Sequence, residues 1–86
     1  MADIIIYTTP VCPYCVRAKD LLKRKGQSNY KEIDITKDQT SMKEMLEKSG
    51  GRKTVPQIFI NNSHIGGCDD LYALDAAGKL DSLLGV

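Results

Sequence analysis

A Cys-x-x-Cys motif, residues 12–15, lies between a short apolar run and a helical pattern. The β-branched run 4–8 predicts a strand covered on both faces. The first N–H groups of the following helix lack intrahelical partners and carry a partial positive charge, which stabilises a thiolate placed there. Pro13 suits the first helical position, where no N–H is needed. Cys12 is therefore the expected nucleophile, and Cys15, one turn further along the same face, is the expected partner for a disulfide.

The same motif could also form half of a zinc site. Such a site takes four ligands, usually from two pairs of this kind. The remaining soft ligands, His64 and Cys68, lie in a glycine-containing segment and do not form a second pair of the usual spacing. A redox-active dithiol is therefore favoured, and no metal is expected.

The chain length, the net charge and the number of cysteines limit the class of protein. The 86 residues predict one domain, 1–86, and a net charge of +1 gives no electrostatic reason to bind nucleic acid or a membrane surface. No apolar run approaches the ~20 residues that span a bilayer, and the first residues do not resemble a signal peptide. Three cysteines, an odd number, favour a reducing cytoplasm over a secreted disulfide framework. Nothing in the sequence demands more than a monomer.

Strand and helix patterns alternate along the chain. We predict strands at 4–8, 30–35, 57–60 and 63–65, and helices at 13–25, from about 38 to 49, at 68–77 and at 79–84. The first strand–helix–strand unit should be parallel and right-handed, whereas the short turn after residue 60 makes the last two strands antiparallel. Ser41 and Glu44 have the form of a capping box for the second helix, with Asp38 as a competing cap. The order predicts an α/β fold: a four-stranded mixed sheet flanked by helices.

Three separated motifs resemble the glutaredoxin family, in its dithiol class. They are Cys12-Pro13-Tyr14-Cys15, Thr54-Val55-Pro56 and Gly66-Gly67-Cys68-Asp69-Asp70, and the resemblance covers nearly the whole chain. It implies a thioredoxin-like fold with the sheet order second, first, third, fourth strand, and a cis bond before Pro56. It also implies a glutathione-dependent oxidoreductase that reduces protein disulfides and glutathione mixed disulfides. Ribonucleotide reductase is a plausible protein client by resemblance only.

The resemblance also implies a site for glutathione, which serves as reductant and cosubstrate. Its sulfur would lie against Cys12, and its backbone would pair with Val55. Its γ-glutamyl carboxylate would meet the N–H groups of Cys68 and Asp69 at a helix start. The Asp69 side chain could contact the ammonium group, cap the helix, or do both. The expected glutathione-binding residues are Tyr14, Lys53, Thr54, Val55, Pro56, Gly67, Cys68 and Asp69.

The sequence departs from the family at the cation for the glycine carboxylate. Relatives often have a lysine three residues before the first active cysteine, where this chain has Thr9. Lys53 best fits the family's other basic position, and Arg52 and Arg17 are alternatives. One exposed ion pair is worth roughly 0–1 kcal/mol, so the departure concerns affinity more than activity. Gln57 is a further candidate contact.

Two polar residues outside the motif have simpler interpretations. Cys68 fits a small buried residue at a helix start, although it could also form a regulatory disulfide. His64 is expected on the surface of the fourth strand and not as a general base, because exchange by a thiolate needs none.

Three other functions share part of this sequence pattern. A redoxin that depends on thioredoxin reductase would share the fold and the dithiol but not the glutathione site. An iron–sulfur carrier, in which two subunits hold a glutathione-ligated cluster, is disfavoured by Pro13 and Cys15. A purely structural domain would leave the paired thiols at a helix start unexplained.

Overall fold

The elements of the chain follow the predicted order. The computed structural model describes residues 3–37 and 39–85. It contains β1 (Ile4–Thr8), α1 (Pro13–Arg24), β2 (Lys31–Asp34), α2 (Gln39–Lys48), β3 (Gln57–Ile60), β4 (Ser63–Gly66), α3 (Cys68–Ala76) and α4 (Leu80–Leu84). Among the helices so described, none has the length and apolar character needed to cross a membrane.

The four strands form one mixed sheet in the order β2-β1-β3-β4. Strands β1 and β2 are parallel, and the β1–β3 and β3–β4 pairs are antiparallel. The predicted fold and sheet order are therefore confirmed. Tyr7 near the end of β1 lies opposite Gln57 at the start of β3. Two segments therefore meet at the same end of the central strands. One follows β1 and contains the Cys-x-x-Cys motif, and the other, Val55-Pro56, precedes β3.

Side-chain alternation along β1 divides the core between the two faces of the sheet. Ile4 and Ile6 belong to the larger buried cluster, together with leucines of α1, α3 and α4. Tyr7 belongs to the smaller cluster, with Met45 and Phe59. Met45 is fully buried, as its predicted role in filling the core requires. Helix α1 is thus anchored to the sheet along its apolar side.

The predicted start of the second helix is wrong in one respect. Helix α2 begins at Gln39, so Ser41 is already its third residue. An N-cap residue needs a non-helical backbone, and the proposed Ser41–Glu44 capping box therefore does not form. The competing cap, Asp38, lies outside the described residues. The other element ends agree with prediction to within a residue or two, the normal uncertainty at element ends.

Candidate functional site

Cys12 occupies the N-cap of α1, as the sequence predicted. Its backbone is extended (φ −148°, ψ 100°), and its Sγ accepts a hydrogen bond from the Cys15 N–H at 3.2 Å. The partly exposed sulfur also lies 3.9 Å from the carbonyl oxygen of Val55. An N–H donor and the positive end of a helix both favour negative charge on this sulfur. Cys12 can therefore act as a nucleophile on a molecule that reaches it from solvent.

Cys15 has the opposite environment, although it is only one helical turn away. Its side chain is 1% exposed and forms no disulfide with Cys12. Burial, reinforced by a hydrogen bond with Cys12, raises the pKa of Cys15 to about 12, while the Thr9 N–H and the charge of Lys19 act against that rise. Cys15 is therefore a protonated thiol that can react only after Cys12 has brought a disulfide within reach.

The Val55-Pro56 peptide bond is cis, as the family resemblance implied. The Val55 carbonyl lies beside Cys12. The side-chain amide of Gln57 donates to the Thr54 carbonyl (2.9 Å) and hydroxyl (3.2 Å). These hydrogen bonds hold the segment from Thr54 to Pro56 in place. Gln57 itself is fully buried, and its carbonyl oxygen is 2.8 Å from Nε2 of His64. The suggestion that Gln57 contacts a ligand is therefore wrong, because both ends of its amide are used inside the protein.

A groove with a cavity volume of about 320 Å³ runs between this segment and the start of α3. Its size is within the range of small-molecule sites. The lining residues are Tyr14, Arg52, Thr54, Val55, Pro56, Gly67, Cys68, Asp69 and Asp70. The structure thus brings together every residue predicted for glutathione binding except Lys53. Lys53 is exposed next to the groove, and the cation in its wall is Arg52.

The start of α3 is built around Asp70. Gly67 is the N-cap, and its N–H donates to the Asp70 carboxylate at 2.9 Å. This hydrogen bond, supported by Arg52 at 3.2 Å, lowers the pKa of Asp70. The sequence left Asp69 as a possible cap, but Asp70 takes that role. The Asp69 carboxylate has no hydrogen-bond partner within the described part of the chain and faces the groove, beside helix N–H groups that lack intrahelical partners.

Cys68, the first residue of α3, is 4% exposed. Burial raises its thiol pKa, and nearby Asp69 and Cys12 add to the effect while Arg17 opposes it. This position agrees with the prediction that Cys68 is a small buried residue at a helix start. Its thiol is held protonated, so its contribution to the groove is its backbone N–H and its apolar surface.

Tyr14 forms the exposed rim of the groove. Its side chain is 54% exposed, and the Arg17 guanidinium carbon lies 6.0 Å from its ring centre. The same guanidinium is 5.5 Å from the ring of Tyr72, whose hydroxyl donates to the Arg17 carbonyl. Sequence reasoning missed Tyr72, because it lies on α3 and only the packing of α3 against α1 brings it to this cluster.

Comparisons with known proteins agree with this geometry. Residues 4–65 match the family model described as Glutaredoxin. The chain is 58% identical over 84 residues to Glutaredoxin 3 of Escherichia coli K12, covering 98% of this chain and 99% of that protein. The solution structure of glutaredoxin from Brucella melitensis is similar with a TM-score of 0.82 and 61% identity, covering 98% of this chain and 89% of that one. A buckwheat glutaredoxin–glutathione complex has a TM-score of 0.86 at 30% identity, with coverages of 98% and 77%.

Proposed function

The chain belongs to the glutaredoxin family of glutathione-dependent thiol–disulfide oxidoreductases, and on that premise we propose how its residues divide the reaction. Cys12 is the attacking sulfur and Cys15 is the resolving sulfur. The observation that carries the proposal is the contrast between a partly exposed sulfur at a helix N-terminus and a buried thiol one turn behind it.

In the first step, the Cys12 thiolate attacks one sulfur of a client disulfide. A Cys12–client bond forms, the client's own S–S bond breaks, and the leaving sulfur takes a proton from solvent. Cys15 then loses its proton and attacks Cys12, which closes an intramolecular disulfide and releases the reduced client. Two glutathione molecules reduce the Cys12–Cys15 bond and become glutathione disulfide. With a glutathionylated client, Cys12 takes the glutathione and a second glutathione removes it.

The groove between Val55 and α3 is the proposed glutathione site. The tripeptide's sulfur would face Cys12, and its γ-glutamyl carboxylate would accept from N–H groups at the start of α3. The Asp69 carboxylate would pair with the ammonium group, since it lines the groove and no hydrogen bond within the described residues engages it. Arg52 in the groove wall and exposed Lys53 are the candidate partners of the glycine carboxylate. The buckwheat relative is a glutaredoxin–glutathione complex, which supports glutathione as the ligand.

The cellular role is a further part of the proposal. We place the protein in the cytoplasm as a monomer that carries electrons from glutathione to protein disulfides. Its odd number of cysteines, three, fits a reducing compartment. Ribonucleotide reductase is a proposed client on the family resemblance alone.

Reduction of a glutathione mixed disulfide tests the function. One assay contains NADPH, glutathione and glutathione reductase. A parallel assay contains NADPH and thioredoxin reductase, without glutathione or glutathione reductase. We expect turnover only in the first. Turnover only with thioredoxin reductase would refute the glutathione site and indicate a thioredoxin-like redoxin with the same fold.

Metal binding is a second candidate, favoured by one relative. A solved structure 60% identical to this chain, with a TM-score of 0.73, is described as showing metal binding of glutaredoxins. Across residues 3–37 and 39–85, no group of three or more His, Cys, Asp or Glu side chains could hold a metal ion. An iron–sulfur cluster in this protein would therefore need ligands from glutathione or from a second subunit. Visible absorbance after anaerobic purification, lost on chelation, would support this candidate.

A further inference from the structure

A second cavity, of about 530 Å³, opens beside the carboxyl ends of the parallel strands β1 and β2, and it is separate from the glutathione groove. Its wall includes Thr8, Thr9, Lys19 and Glu32. The Lys19 ammonium is 3.1 Å from Oε2 of Glu32, and the Thr8 hydroxyl donates to that same oxygen at 2.8 Å. Thr8 is 1% exposed, so this network is anchored in the core.

The network borders the buried thiol of the Cys-x-x-Cys motif. Lys19 follows Cys15 by four residues on α1, and residues with this spacing lie on the same helical face. Thr9, in the same cavity wall, offers its N–H to the Cys15 sulfur. The Lys19 side chain is only 23% exposed, because Glu32 holds it against the protein. A fixed positive charge therefore lies on the same face of α1 as the resolving sulfur and favours its thiolate.

The proposed reaction leaves one requirement unmet. Cys15 must ionise before it can attack, yet burial and the neighbouring Cys12 both disfavour its thiolate. The groups facing Cys15 that favour the thiolate are the Thr9 N–H and the Lys19 ammonium. Lys19 in turn faces Glu32, Tyr30 and Cys15, and its hydrogen bond to Glu32 raises its pKa, so it stays charged.

We propose that Lys19, held in place by Glu32 and Thr8, is a positioning residue that promotes the attack of Cys15 on the Cys12 mixed disulfide. The inference rests on the proposed dithiol route and assigns a residue to its second step. The Cys15 proton passes to solvent, the Cys15–Cys12 bond forms, and the Cys12–client bond breaks. The electron pair leaves on the client sulfur, which takes a proton from solvent. The first step, at the partly exposed Cys12, does not use Lys19.

A neutral aromatic disulfide, dipyridyl disulfide, separates the two steps in one stopped-flow experiment. Attack by Cys12 releases one thiopyridone, and attack by Cys15 on the resulting mixed disulfide releases a second. Lys19→Met should slow only the second release. A higher thiol pKa lowers the thiolate fraction but raises its nucleophilicity, so each unit of increase slows attack about threefold. Lys19 is the smaller of the two groups that favour the Cys15 thiolate, so we expect a loss of up to about threefold. The pH profile of the second release should shift to higher pH.

Lys23→Met is the matched control, since it removes the same charge from an exposed position one turn further along α1. It should leave both releases unchanged, and Lys19→Arg should retain most of the second rate. If Lys19→Met does not fold, Lys19→Gln gives the same comparison while keeping a hydrogen bond to Glu32. An unchanged second release, or an equal slowing by Lys23→Met, would overturn the role of Lys19. Absence of a second release from the unmodified protein would instead refute the dithiol route itself.

Discussion

At the residue scale, the proposed reaction depends on the difference in environment between Cys12 and Cys15. Both lie on the first turn of α1, but Cys12 is partly exposed and accepts an N–H hydrogen bond, whereas Cys15 is buried. The order of attack follows from this difference, because a client disulfide can reach only the first sulfur. The residue spacing alone could predict the pair, and the strand-to-helix context predicted that Cys12 lies at the helix start, which the N-cap position confirms.

Serine substitutions separate the two roles. Cys12→Ser should reduce both glutathione mixed-disulfide exchange and protein-disulfide reduction to background, because no attacking thiolate remains. Cys15→Ser should retain the exchange with glutathione, which needs one thiol, and lose the reduction of protein disulfides, which needs two. The measurement is the rate of each reaction in the glutathione reductase assay. Equal loss of both activities in Cys15→Ser would contradict the assignment.

The cation for the glycine carboxylate of glutathione can be identified in the same assay. Arg52 lines the groove and Lys53 is exposed beside it, so we expect Arg52→Met to raise the KM for glutathione more than Lys53→Met. A partly exposed ion pair is worth roughly 0–1 kcal/mol, which corresponds to an increase of up to about fivefold. Because Arg52 also pairs with Asp70, the melting temperatures of both variants are needed as a control. A larger effect from Lys53→Met would restore the choice made from the sequence.

At the element scale, the two helix starts show what local patterns can and cannot predict. The glycine pair before Cys68 correctly predicted where α3 begins. Which aspartate caps it depends on Arg52, eighteen residues earlier, and on the exact position of the N-cap. The Ser41–Glu44 pattern was equally plausible locally, yet α2 already begins at Gln39. Short capping motifs recur by chance, and tertiary packing decides which of them is used.

Gly66→Ala tests how tightly the start of α3 is built. Gly66 has φ +119°, and a Cβ there would collide with the Asp70 carboxylate that caps the helix. We expect a loss of about 1–3 kcal/mol in unfolding free energy, which for a domain of this size lowers Tm by about 4–8 °C per kcal/mol. Gly78→Ala is the control, since Gly78 also has a positive φ (+73°) but nothing within 4 Å of the added carbon. An equal loss in the two variants would show that the contact with Asp70 contributes nothing.

At the scale of the whole molecule, the sheet brings together motifs that are distant in sequence. Cys12 and Val55 are 43 positions apart, yet their sulfur and carbonyl oxygen are 3.9 Å apart because β1 and β3 are neighbours. The order of strands and helices could be predicted from hydrophobic periodicity. The full sheet order came from the family resemblance, since the short turn pairs β3 only with β4 and no local pattern states that β3 lies beside β1.

Stability depends on pH through three carboxylates whose pKa values are lowered in the fold, Glu32, Asp34 and Asp70, of which Glu32 and Asp70 form ion pairs. Burial opposes ionisation of Glu32, but the Thr8 hydroxyl and the Lys19 ammonium outweigh it and lower its pKa. The Gly67 N–H, with help from Arg52, lowers the pKa of Asp70. A folded-state pKa below the unfolded value means that the unfolded chain binds protons more readily as the solution becomes acidic. The stabilisation is therefore complete at neutral pH and is lost as the pH falls below about 4.5 toward the folded pKa values.

We expect Tm to change little between about pH 7 and pH 5 and to fall below about pH 4.5. The Glu32 and Asp70 side chains are 39% and 48% exposed, so solvent screening limits their combined contribution, to about 1 kcal/mol or less. The double variant Glu32→Gln, Asp70→Asn should be less stable at neutral pH and show a smaller fall in Tm on acidification. Asp20→Asn, at an exposed position on α1, is a control that should leave the fall unchanged. An identical fall in the double variant and the parent protein would show that acid acts elsewhere, and would also weaken the case that Glu32 holds Lys19 on the same face of α1 as Cys15.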